Sequence, residues 1–152
     1  MRILIIEDQQ DKRDDIANLL CKWLDIGEES ISSCSSLHSA LKTIVYDQPY
    51  ELVILDMSLP TFDISSEEPT GGSSESYGGR ELLHQMMLRD IKYPTVVVTQ
   101  YMSFNKGSID LLDLDQEFRQ EFNDFYLGYV YYNAAVDDWK NSLINILGAI
   151  KK

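Results

Sequence analysis

Cysteine is scarce in this chain. Cys21 and Cys34 are the only two in 152 residues, too few for a disulfide framework. Neither has a His or Cys at metal-ligand spacing, so both read as reduced thiols of a cytoplasmic protein. Positive charge is scarce too: 13 Lys and Arg stand against 25 Asp and Glu, a net charge of −12. Nonspecific nucleic-acid binding needs basic surface to neutralise phosphates, and this composition argues against it. No apolar run approaches the roughly 20 residues that cross a bilayer. The opening MRILIIED is too short for a signal peptide and has an acidic flank. The glycine pairs at 71–72 and 78–79 do not make a phosphate-cradling GxGxxG.

What is present is ordinary for one globular domain with a real core: 44% hydrophobic residues. Three apolar runs stand out, Ile3–Ile6, Leu52–Leu55 and Thr95–Val98. They are rich in β-branched residues and do not alternate with polar ones, as expected of parallel strands buried on both faces. Residues 29–34 form a weaker strand, and 126–132 a fifth by aromatic and β-branched content. Helical spacing fills the gaps. It joins Ile16, Leu19, Leu20 and Trp23, then Leu37, Leu41, Ile44 and Val45, with Ser35 or Ser36 as N-cap. It continues with Leu82, Leu83, Met86 and Met87, then Leu111, Leu114 and Phe118. The last stripe is Val136, Trp139, Leu143, Ile146, Leu147 and Ile150. Five alternations of strand and helix predict a doubly wound α/β domain. Its binding crevice is expected beyond the carboxyl ends of the strands.

Residues 61–78 interrupt this order with a Ser-, Glu- and Gly-rich stretch containing Pro69. A long connection of this kind reads as an inserted, mobile functional loop. No internal repeat appears. Residues 1–152 read as a single domain, without room in this sequence for an output domain.

Glu7 and Asp8 follow the first strand and Asp56 follows the third. In a parallel sheet these three carboxylates converge on one edge. They repel unless one is protonated or a cation intervenes, and a hard divalent ion such as Mg²⁺ suits an all-oxygen set. Such an ion would neutralise phosphoryl oxygens and leave one carboxylate as nucleophile. Thr99 ends the fourth strand and brings a hydroxyl to the same edge. Acids after strands also cap helices or sit in solvated loops, which is the plainer reading of Asp8 alone. His38 and His84, on predicted helices, read as solvated. The tyrosines of 126–132 read as sheet packing, with a partner surface as the alternative.

The ordered set resembles the response-regulator receiver domain. It comprises the acidic pair after the first strand, Asp56 in LVILDMSLP, Pro60 four residues on, Gly79 in GGRELL, Thr99 in VVVTQ, Tyr129 and Trp139. The resemblance covers the chain apart from 61–78. It implies a flavodoxin-like (βα)5 fold with a five-stranded parallel sheet in the order 2-1-3-4-5. It makes Asp56 the phosphoacceptor, with Mg²⁺ held by Glu7, Asp8, Asp56 and the backbone carbonyl of Ser58. Thr99 would hydrogen-bond the phosphoryl group, and Tyr129 would be the switch aromatic. The partners implied are a sensor histidine kinase or phosphotransfer protein and a separate output protein, with neither nucleic acid nor membrane insertion. A homodimer is compatible with it. No enzymatic activity is implied beyond Mg²⁺-dependent phosphorylation and dephosphorylation of the domain itself.

Two positions depart from the pattern. The family's Lys-Pro pair at the end of the fifth strand falls on Tyr132 and Asn133, so a charge-assisted contact to the phosphoryl group is expected to be lost there. Gln100 stands where the family prefers a small residue. The leading expectation is a stand-alone receiver in the cytoplasm. The alternatives are a pseudo-receiver that binds partners without phosphorylation and a Mg²⁺-dependent hydrolase of the toprim kind.

Overall fold

A computed structural model describes residues 1–60, 78–104 and 109–150. The segment expected to be an inserted loop lies outside these residues, except for Gly78. In chain order the elements are β1 (Ile3–Ile6), α1 (Gln10–Leu24), β2 (Ile31–Cys34), α2 (Leu37–Tyr46), β3 (Leu52–Leu55) and α3 (Gly78–Leu88). They continue with β4 (Thr95–Thr99), β5 (Ser103–Phe104), β6 (Ile109–Asp110), α4 (Leu111–Glu121), β7 (Tyr126–Tyr131) and α5 (Asp138–Ile150).

Five strands pair in parallel in the order β2-β1-β3-β4-β7, the expected 2-1-3-4-5 arrangement. Alternate residues of the central strands serve opposite faces. Ile3, Ile5, Leu52, Ile54, Val96 and Val98 pack on α1 and α5 through Ile16, Leu20, Trp139, Leu143 and Leu147. Leu4, Ile6, Val53, Leu55 and Val97 pack on α2, α3 and α4, where Ile44, Leu82, Met86, Leu114 and Phe118 are buried. Both faces are covered, which is why these strands are apolar throughout.

The helix starts follow local chemistry. Ser36 caps α2: its Oγ accepts from the Ser39 amide (3.1 Å), and Ser39 Oγ accepts from the Ser36 amide (3.2 Å). Asp110 caps α4 by accepting from the Leu112 amide (3.1 Å). Two details depart from the sequence reading. Val136 precedes α5 and is exposed, so the buried stripe begins at Trp139. The antiparallel β5–β6 ladder was not anticipated, because two residues per strand are too few to carry a pattern.

β7 carries a bulge. Thr95 pairs with Tyr126 but Val96 pairs with Gly128, so Leu127 is the extra residue. Gly128 has φ +145°, a conformation that favours glycine. The extra residue reverses the side-chain phase: Tyr126 packs with the α2–α4 cluster, whereas Val130 and Tyr132 pack with the α1–α5 cluster. The strand ends at Tyr131, yet the Tyr132 amide still donates to the Thr99 carbonyl (2.8 Å).

Gly79 lets α3 close onto the residues after β3. A Cβ there would lie 2.7 Å from the Asp56 carbonyl oxygen and 2.9 Å from Met57 Cα, both backbone atoms. Gly79→Ala is therefore expected to cost about 1–3 kcal/mol of stability, seen as a lower midpoint in thermal unfolding. An unchanged midpoint would show that the helix shifts freely.

Candidate functional site

The sheet order reverses between β1 and β3, and the crevice at their carboxyl ends is where such sheets bind ligands. The two strands run in register, Ile6 beside Leu55, so the residues that follow emerge side by side. The Asp56 amide donates to the Ile6 carbonyl (2.9 Å) and the Glu7 amide to the Cys34 carbonyl (2.9 Å), which extends the ladder by one rung on each side. Carboxylate oxygens of Glu7, Asp8 and Asp56 consequently lie within 4.8 Å of one another. Glu7 and Asp56 are buried and Asp8 is half-buried.

Each buried acid is held. Glu7 Oε2 accepts from the Gln9 amide (3.2 Å). Asp56 Oδ1 accepts from the Ser58 amide (3.3 Å), and Ser58 Oγ reaches both Asp56 oxygens (3.2 and 3.0 Å). Lys12 enters from the first turn of α1, only 2% exposed. Its Nζ donates to Asp56 Oδ1 (3.3 Å) and to the Val98 carbonyl (2.8 Å). It also pairs with Glu7 Oε1, which thereby gains a counter-charge. Burial and then the Asp56 charge push the Glu7 carboxyl up to about 8, while Lys12 pulls it down. The pocket thus disfavours a further negative charge unless more cation is supplied.

No family model matches the chain. It is 25% identical over 146 residues to the Detocs response regulatory protein DtcB of Enterobacter cloacae, covering 95% of this chain and 96% of that one. It is 29% identical over 149 residues to an uncharacterized protein, y4jR, of Sinorhizobium fredii, covering 95% of each. Among solved structures, the signal receiver domain of an HD domain-containing protein from Pseudomonas fluorescens superposes with a TM-score of 0.63. That match has 16% identity and covers 97% of this chain and 91% of the other. A response regulator receiver protein from Pseudoalteromonas atlantica gives 0.61 at 16% identity, over 99% and 96%. The chain folds as a response-regulator receiver domain.

In this receiver fold, the structure places each residue singled out in the sequence. Thr99 is fully buried at the end of β4, where its Oγ1 accepts from the Tyr101 amide (3.2 Å) and keeps its own proton for donation. Ser58 reaches Asp56 through its hydroxyl and amide, contacts the sequence did not suggest. Tyr129 is half-buried against the α2–α4 cluster. Gln100 Nε2 donates to the Tyr101 hydroxyl (3.2 Å). Tyr132 does not turn to Asp56: its hydroxyl donates to Asp15 Oδ2 on α1 (2.6 Å). His38 is exposed, and His84 stacks edge-on against Phe122 (5.4 Å) between α3 and α4.

Sequence reasoning missed Lys12, and with it a cation at Asp56. Its signal was spacing. Lys12, Ile16 and Leu20 are the buried residues of α1, four apart on one stripe. Removing the Tyr132 hydroxyl tests the link to Asp15. Tyr132→Phe is expected to cost about 0.5–1.5 kcal/mol, measured by urea unfolding. No change would mean that water replaces the bond at no cost.

Proposed function

We propose that this receiver domain accepts a phosphoryl group on Asp56 from the phosphohistidine of a sensor kinase or phosphotransfer protein, and signals through a separate output protein in the cytoplasm. The observation that supports this most is the meeting of Glu7, Asp8 and Asp56 within 4.8 Å beside the Lys12 ammonium. In the reaction an Asp56 oxygen attacks phosphorus, a P–O bond forms, the P–N bond to the donor imidazole breaks, and the imidazole leaves with that electron pair. Ser58 and Lys12 hold the carboxylate in place, which lowers the entropic part of the barrier. Thr99 has a hydroxyl proton to offer the transferred oxygens.

The donor set fits Mg²⁺. It consists of oxygens, and a divalent ion beside Lys12 would supply the positive charge that lets all three carboxylates ionise together. Glu7, Asp8 and Asp56 would hold the ion, with the Ser58 carbonyl as a further ligand by resemblance. When bound, it supplies positive charge to the phosphoryl oxygens. Mg²⁺ should therefore stabilise the fold, by about 2.7 kcal/mol at a hundred times its Kd. Asp8→Asn should remove most of this rise in a thermal-shift titration. A wild type indifferent to Mg²⁺ would count against the metal site.

One observation favours the pseudo-receiver reading. Lys12 already neutralises part of the site without phosphate or metal. Beryllofluoride, an acyl-phosphate mimic, separates the two. With Mg²⁺, the wild type is expected to form a saturable complex detected by fluorine NMR. Absence of any complex would leave partner binding without phosphorylation as the function.

A further inference from the structure

We infer that Lys12, delivered by α1, is the cation that contacts the phosphoryl group on Asp56, and that Tyr132 and Asp15 hold it in that position. This rests on the phosphoryl-acceptor reading of Asp56. The ammonium already touches the reacting carboxylate: Nζ lies 3.3 Å from Asp56 Oδ1. It is tethered independently of that acid by the Val98 carbonyl (2.8 Å), a neutral acceptor that keeps its place when Asp56 changes. An ammonium has three donors. One lies on Val98 and one faces Glu7, which leaves the donor now on Asp56 to follow the charge that develops there.

The neighbouring cation does not compete. Arg13 Nη1 is engaged by the Glu7 backbone carbonyl (3.0 Å).

Tyr132 explains why the cation comes from this side. The β7 bulge turns its ring toward α1, its hydroxyl is fixed on Asp15 (2.6 Å), and the ring centroid lies 5.7 Å from Lys12 Nζ. A side chain that fills this space closes the route from the end of β7 and backs the lysine that enters from α1. The charge of a phosphoryl group would then act first on α1. The site's signal would leave by the helix that carries Lys12 and Asp15 as well as by Thr99.

The simpler role for Lys12 is neutralisation of buried acids, and one experiment on the full chain separates the two. Beryllofluoride is titrated with Mg²⁺ present into wild type, Lys12→Gln and Lys12→Gln/Tyr132→Lys, followed by fluorine NMR. The side-chain nitrogen signal of Lys12 is recorded in the wild type. The expected result is a shifted Lys12 signal in the wild-type complex, analogue binding weaker by roughly tenfold or more in Lys12→Gln, and partial recovery in the double variant. Mg²⁺ binding alone should change less. Equal analogue binding by Lys12→Gln, or an unmoved Lys12 signal in the wild-type complex, overturns the inference and leaves the acceptor reading standing. Absence of any wild-type complex overturns both. If Lys12→Gln does not fold, the wild-type Lys12 signal decides.

Discussion

Asp56→Asn will take up no phosphoryl group from a small acyl-phosphate donor, and its fold will remain intact. Amide and carboxylate have nearly the same shape, so the Ile6 rung of the ladder and the packing of α3 through Gly79 are preserved. What disappears is the nucleophile, because a neutral amide does not attack phosphorus at a useful rate. Electrostatics point the same way. The Asp56 charge is the second-largest cause of the raised Glu7 pKa, so the variant should bring Glu7 back toward the ordinary carboxylate range. Intact-protein mass spectrometry after incubation with the donor and Mg²⁺ measures the uptake. Undiminished uptake by the variant would remove Asp56 from the mechanism.

The second large effect concerns Lys12. In buffer free of divalent ions, Lys12→Met should lose roughly 3–5 kcal/mol of stability, the usual result of deleting one partner from a buried ion cluster. Glu7 and Asp56 are 2% and 3% exposed, so water screens them little once the ammonium is gone. Methionine keeps an unbranched apolar stem one atom shorter, so the variant loses the charge together with the hydrogen bonds to Asp56 and Val98. Mg²⁺ should restore part of the loss, because a divalent ion held by the same carboxylates would supply counter-charge. Denaturant unfolding with and without Mg²⁺ measures both numbers. A loss below about 1 kcal/mol would class the cluster with exposed ion pairs.

Much of this fold could be read directly because its central strands are buried on both sides. Runs such as Ile3–Ile6 and Leu52–Leu55 have no polar alternation to blur them, and each ends at an acid. Register then converts sequence position into spatial convergence. Ile6 pairs with Leu55, so Glu7 and Asp56 had to meet. Lys12 was hidden for the opposite reason. It lies in QDKRDD, a charged stretch that reads as a solvated helix start, and only its four-residue spacing from Ile16 and Leu20 marks it as inward-facing. The direction of Tyr132 could not be read either. It depends on a single extra residue at Leu127, whose one trace in the sequence is Gly128 within the strand. Val136 fitted the spacing of the last helix but precedes its start and stays in solvent.

Chemical trapping of the acceptor tests the central claim most directly. The full chain is incubated with acetyl phosphate and Mg²⁺, reduced with borohydride, which converts an aspartyl phosphate to homoserine, and mapped by peptide mass spectrometry. Homoserine in place of Asp56, dependent on both donor and Mg²⁺, is the predicted result. A fully reduced sample with Asp56 unchanged, or with homoserine at another aspartate, would contradict it.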